Sequence, residues 1–143
     1  MSNFGKISTY HGTAELDADN LVKGNVDATL GGGELGQGFY LGTELHVAKA
    51  WAMQKHNGEF VVEFSFDDDE FWSFDIESLT EIQAIEHRSI IRERGLTRTY
   101  KFSKDIVWGP IVGGPKVYAD QHKWESSKGE GFLNGDKVLR RIR

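Results

Sequence analysis

Apolar positions fall into short alternating runs and two helical stripes. The alternation is sharpest between residues 59 and 66. There Phe60, Val62, Phe64 and Phe66 take turns with Glu59, Val61, Glu63 and Ser65, which predicts a strand with one buried face. Ile7 to Thr9, with Tyr10, predicts a short strand running into Tyr10-His11-Gly12-Thr13. Asp17 to Lys23 predicts a short helix that stops near Gly24, and residues 24–37 an irregular loop. Gly38-Phe39-Tyr40-Leu41-Gly42 is a short aromatic strand. Thr43 is a good N-cap for a helix to about Lys55, with Leu45, Ala48, Trp51 and Ala52 in one stripe. Asp67-Asp68-Asp69-Glu70 predicts a solvated turn, and Phe71 to Ile76 a further strand. Ser78-x-x-Glu81 has the form of a capping box opening a second helix. Leu79, Ile82 and Ile85 lie on one of its faces, and Gly95 ends it after Arg92 and Arg94. Strands are predicted over Thr99–Phe102, Asp105–Val112 and Val117–Glu125, and a last helical piece within Lys128–Arg143. Helices around short strands, without regular alternation, predict an α+β domain rather than a doubly wound parallel sheet.

Length and composition narrow the class. The 143 residues correspond to one domain spanning 1–143. With no Cys there is no disulfide framework and no thiolate metal site. No apolar run approaches the roughly 20 residues that cross a bilayer. Met1-Ser2-Asn3-Phe4-Gly5-Lys6 lacks the hydrophobic segment of a signal peptide. The formal charge of −5 argues against broad electrostatic binding to nucleic acid. Arg88, Arg92, Arg94 and Arg98, or Arg140, Arg141 and Arg143, leave room for a local basic stripe. The oddity is glycine: 17 residues, seven of them between positions 24 and 42, against about 7% in an average protein. Glycine suits backbone that turns sharply or approaches a ligand closely.

Several motifs are missing. There is no phosphate-binding Gly-x-x-x-x-Gly-Lys loop, and Gly36-x-Gly38 does not complete a dinucleotide fingerprint. The histidines at 11, 46, 56, 87 and 122 show no metal-ligand spacing, so no metal is expected. His46, His56 and His87 read as surface or structural residues.

Three segments remain: Tyr10-His11-Gly12-Thr13; Gly36-Gln37-Gly38-Phe39-Tyr40-Leu41, with Trp51 eleven residues beyond Tyr40; and Asp120-Gln121-His122-Lys123-Trp124-Glu125-Ser126. Together with Ala48-x-x-Trp51-Ala52 and Asp105-Ile106-Val107-Trp108-Gly109-Pro110, they resemble the ADP-ribosyltransferase fold of the diphtheria-toxin and poly(ADP-ribose) polymerase type. In particular the order Glu34-Leu35-Gly36-x-Gly38-Phe39-Tyr40 resembles its small bacterial toxin domains. The resemblance covers most of residues 9–55 and 105–135; residues 59–100 match only in general pattern. It implies two packed, mainly antiparallel sheets with a few helices, and a histidine, a tyrosine and a glutamate on three strands. It implies NAD as substrate, with His11, Gly12, Thr13, Gly38, Tyr40 and Trp51 in contact with it.

The chemistry is consistent with that reading. The nicotinamide of NAD is a cationic ring on a ribose carbon, and breaking the bond leaves an oxocarbenium-like centre, as in glycoside cleavage. A histidine at a strand end suits the ribose hydroxyls. Tyr40 and Trp51 offer two aromatic faces for the cation, worth roughly 0.5–2 kcal/mol each when desolvated. A carboxylate best stabilises the developing positive charge. The position matching the family's glutamate is Gln121, which carries no charge; Glu125, four residues on, and Glu130 are the alternatives, in that order.

The expected activity is mono-ADP-ribosyl transfer by a bacterial toxin or effector domain to a protein or nucleic-acid acceptor. One alternative is an NAD glycohydrolase with water as acceptor; another is an inert binding module of the same fold. The resemblance also implies an immunity or antitoxin protein as partner, and action in a cytoplasm after delivery within a larger effector, with no membrane role.

Overall fold

In the computed structural model, residues 5–56, 60–113 and 119–143 are described. The elements run β1 (Lys6–Thr13), α1 (Glu15–Val22), β2 (Phe39–Gly42), α2 (Leu45–His56), β3 (Phe60–Asp67), α3 (Asp68–Trp72), β4 (Ile76–Ser78), α4 (Glu81–Glu93), β5 (Ile106–Pro110), β6 (Asp120–Trp124), α5 (Ser127–Asn134) and β7 (Leu139–Ile142). The α+β class is observed. Glu59, Gly114 and the predicted strand start at Val117 lie outside the described residues.

The strands pair in the order β4-β5-β6-β2-β1-β3-β7. Neighbours are antiparallel except β4 and β5, which are parallel. Where two packed sheets were expected, the hydrogen bonding runs through one mixed sheet. Its middle join is narrow. β1 faces β3 over eight consecutive pairs, from Lys6↔Asp67 to Thr13↔Phe60. The register of β1 with β2 is the single pair Tyr10↔Gly42. The sheet is therefore two blocks, β4-β5-β6-β2 and β1-β3-β7, meeting at a seam.

Alternation decides which face each side chain takes. Phe39, Leu41, Val62, Phe64, Phe66, Ile106 and Trp124 form one apolar face, covered by Ala18 and Leu21 of α1, Phe71 of α3 and Leu133 of α5. Aromatic rings fill this core, with Trp124 stacked on Phe132 at 6.0 Å and edge-on to Phe66 at 5.7 Å. On the other face α2 lies on β1, with Ala48 and Ala52 buried. The approach is so close that a Cβ on Gly12 would collide with the Ala48 carbonyl oxygen. A second apolar cluster of Leu35, Leu79, Ala84 and Val107 forms where α4 covers β5. Between α2 and α4, the glycine-rich loop covers β2 and β6.

Some sequence expectations are corrected. The acidic run is not a free turn: Asp68, Asp69 and Glu70 form the first turn of α3, where negative charge suits the helix dipole. The segment 71–76 is accordingly helical up to Trp72, and only Ile76 begins a strand. The cap of α4 is Thr80, whose hydroxyl accepts from Gln83 N while the Gln83 side chain accepts from Thr80 N. Ile82 and Ile85 are 70% and 51% exposed, so the buried stripe runs instead through Ala84 and Ile91. Residues 99–102 form no strand; the last helical piece expected within Lys128–Arg143 is α5, and β7 follows it. Trp51 leaves the buried stripe of α2 and is 53% exposed.

Candidate functional site

Strand order brings the three chemical motifs together. His11 lies on β1, Tyr40 on β2 and Gln121 on β6, and these are consecutive in the sheet. The register sets Gln121 opposite Gly42 and Lys123 opposite Tyr40. His11 Nδ1 is 2.7 Å from the Tyr40 carbonyl oxygen, and its ring stacks on Phe39 with centroids 4.3 Å apart. The imidazole thus bridges the seam that the backbone ladder joins at one pair. The same stacking puts the His11 ring on the face of Phe39, while Tyr40 and Gln121 project from the opposite face. A ligand touching all three must cross the seam.

Tyr40 is tightly held. Its hydroxyl donates to the Gly36 carbonyl at 2.5 Å and accepts from Leu35 N at 3.1 Å. Burial, opposed by the Leu35 N–H and reinforced by the Glu34 and Glu125 charges, raises its pKa far above the ordinary tyrosine value, so the phenol stays protonated. Gly33 lies against the ring: a Cβ there would sit 2.9 Å from Tyr40 Cζ. The loop turns at Gly36 with φ of 93°, a conformation that L side chains rarely adopt.

Gln121 is buried, and its Nε2 donates to Glu34 Oε1 at 2.8 Å. Glu34 also accepts from Val112 N at 3.0 Å and Gly113 N at 3.1 Å, and its carboxylate lies 3.5 Å from Arg88 Nε. Among the described residues nothing donates to Gln121 Oε1. The partnership of Glu34 with Gln121, 87 positions apart, is the feature the sequence did not reveal. The signal available was the place of Glu34 at the head of the Glu34-Leu35-Gly36-x-Gly38-Phe39-Tyr40 motif, which does not say what its carboxylate meets.

The alternative carboxylates are already engaged. Glu125 Oε1 and Oε2 accept from Phe102 N and Lys104 N, both at 3.1 Å, and Lys123 Nζ pairs with Oε1 at 2.5 Å. Burial pulls the Lys123 pKa down, and the Glu125 carboxylate opposes that shift. Glu130 accepts from Ala28 N at 2.7 Å. It lines a polar cleft of about 570 Å³ with Asp27, Thr29, Lys101, Ser127 and Asn134, which does not include Tyr40 or Gln121.

The other expected contact residues are scattered. Thr13 is buried at the end of β1 opposite Phe60. Gly12 is closed off on its side-chain face by α2, and a Cβ on Gly38 would collide with the Lys123 side chain. Trp51 carries Lys55 Nζ 5.2 Å from its ring centroid, and it makes no ring contact with Tyr40. His46 is exposed near Glu44, His87 packs on Phe102 at 4.8 Å, and His122 is buried against Phe71 and Trp108 at 5.0 and 5.3 Å. Burial lowers the His122 pKa to about 4, with Asp120 opposing. Among the described residues, no group of three or more His, Asp or Glu is placed to hold a metal. Among them, too, no helix is long and apolar enough to cross a membrane.

Set against known proteins, this chain matches no family model and no curated protein.

Proposed function

We propose that this chain is an NAD-consuming enzyme that transfers ADP-ribose to a macromolecular acceptor, as a toxin or effector domain. One observation carries the reading. Three motifs far apart in sequence, chosen for their chemistry, fall on adjacent strands β1, β2 and β6, with His11 bonded to the Tyr40 carbonyl across the seam. The division of the sheet into two blocks fits the two-sheet ADP-ribosyltransferase architecture that the resemblance implies.

In the proposed reaction the C1′–N bond of the nicotinamide riboside breaks and its electron pair leaves with neutral nicotinamide. An acceptor hydroxyl, amine or carboxylate then bonds to C1′ and gives up any proton it carries. Water as acceptor yields free ADP-ribose and a proton, which is the glycohydrolase alternative. Among the described residues nothing donates to Gln121 Oε1, which would accept from a ribose hydroxyl, and His11 at the seam would hold the second ribose. Gly33 covers the Tyr40 ring, so stacking of nicotinamide there requires the loop over residues 31–36 to shift. Trp51, exposed on α2, must turn inward to supply a second aromatic face.

The test is nicotinamide release from NAD by the purified chain, with and without cell lysate, compared with His11→Ala, Tyr40→Ala and Gln121→Ala. Release only with lysate, with label on a protein or nucleic-acid band, supports transfer. Release without lysate supports the glycohydrolase. Neither binding nor release in any condition overturns the enzyme reading.

A further inference from the structure

The weak point of that reading is the uncharged Gln121, and the structure places a carboxylate one hydrogen bond behind it. We infer that Glu34 is a positioning residue: it holds the Gln121 amide through Nε2, presents Oε1 to a ligand hydroxyl, and supplies the negative charge that the amide lacks. This inference rests on the NAD reading above.

Three observations carry it. First, the pair is oriented. Gln121 Nε2 donates to Glu34 Oε1 at 2.8 Å, so the amide oxygen is the atom left to accept. An amide that donates to a carboxylate is polarised, and its oxygen becomes a stronger acceptor. Second, the carboxylate is fixed. Val112 N shares Oε1 with Gln121, Gly113 N and the Arg88 guanidinium hold Oε2, and only 15% of its side chain is exposed. Third, Glu125 and Glu130, which would otherwise compete for the role, spend their carboxylates on the backbone amides of Phe102, Lys104 and Ala28.

A purely structural Glu34 would anchor the 111–113 segment and do no more. Charge transposition separates the two roles. Glu34→Gln keeps the shape and removes the charge. Gln121→Glu puts two carboxylates at hydrogen-bonding distance, so that one must hold a proton. The double variant E34Q/Q121E returns one charge to the pair, now facing the ligand. We expect E34Q to lower kcat for nicotinamide release by about tenfold or more while KM for NAD changes little. Q121E alone leaves one charge on the pair, shared with a proton, and its kcat should gain a pH dependence that the wild type lacks. The double variant should regain most of the wild-type kcat. Thermal unfolding of each variant checks that the chain remains folded.

Wild-type kcat in E34Q, or a double variant no better than E34Q, overturns the inference and leaves the NAD reading intact. Poor folding of E34Q shifts the decision to the double variant against the wild type. If a folded double variant lacks nicotinamide release, the inference falls. A wild-type chain that neither binds nor cleaves NAD overturns both.

Discussion

The two edges of β1 are built differently. Toward β3 it pairs residue for residue over its whole length. Toward β2 it pairs once, at Tyr10↔Gly42, and a side chain, His11, takes over by reaching the Tyr40 carbonyl. The first edge is prescribed by periodicity: Val62, Phe64 and Phe66 can be buried together only if β3 lies flat against a partner in fixed register. At the second edge β2 is only four residues long, Phe39 to Gly42, and meets β1 at its last residue. A fully paired edge consumes its backbone groups. A seam leaves backbone groups that side chains can meet, as His11 does at the Tyr40 carbonyl.

The largest effect is expected where the continuous edge feeds the core. Phe64 is fully buried and packs on Phe39 at 5.5 Å. Phe64→Ala should destabilise the fold by about 3–5 kcal/mol, read from denaturant unfolding. Because Phe39 belongs to the other block, this substitution also tests whether the blocks share one core. Two separate transitions would show that the blocks fold independently, and the comparison would then have to be redrawn as one between two domains.

Next comes pH. His122 sits in the β6 block with a pKa near 4, against 6.5 when unfolded. Above 6.5 both states are neutral and the fold keeps its full stability. Between 6.5 and about 4 the unfolded chain takes the proton first, so stability falls as pH falls, by about 3 kcal/mol in all. His122→Gln should flatten that part of the stability curve. An unchanged curve would mean that other groups set the acid limit.

Much of the fold was legible before the structure, and the reason is periodicity. The strand around Phe64, the helix reaching Lys55 and the stop at Gly95 each follow from a repeated apolar spacing or a residue with a known backbone role. The errors arose where two elements competed for the same residues. Phe71 belongs to a helix whose first turn is the acidic run before it, and an acidic run followed by apolar residues fits a strand after a turn equally well. Ile82 and Ile85 suggested a buried face, but α4 meets the sheet through the small Ala84, which allows closer approach. The candidate site was legible as three motifs on three strands. Their adjacency was not, because strand order is a long-range property. Nor was Glu34, whose contact with Gln121 depends on how a glycine-rich loop folds back.

Gly12 probes the packing behind the seam. Its side-chain position points at the backbone of α2, and the Ala48 carbonyl oxygen occupies the space a methyl group needs. Gly12→Ala should push α2 away from β1 and cost about 1–3 kcal/mol. The shift should be visible as faster amide exchange in α2, with β3 unaffected. Exchange that speeds up equally in β3 would show that the continuous edge depends on the helix, and the contrast between the two edges would be weaker than the pairing suggests.

The smallest stability effect, and the sharpest test, belongs to His11. Its hydrogen bond to Tyr40 and its stack on Phe39 close the seam where the ladder stops. A neutral hydrogen bond contributes about 1 kcal/mol, so His11→Ala should leave global unfolding nearly unchanged. Amide exchange over residues 39–42 should nevertheless rise well above that of Val61 to Phe66, because β2 loses its side-chain tie while β3 keeps its ladder. Nicotinamide release, on the proposed reading, should fall far more than stability does. If exchange at 39–42 stays as slow as at 61–66, backbone pairing alone holds the blocks together, and His11 is left with a role in ligand binding rather than in closing the sheet.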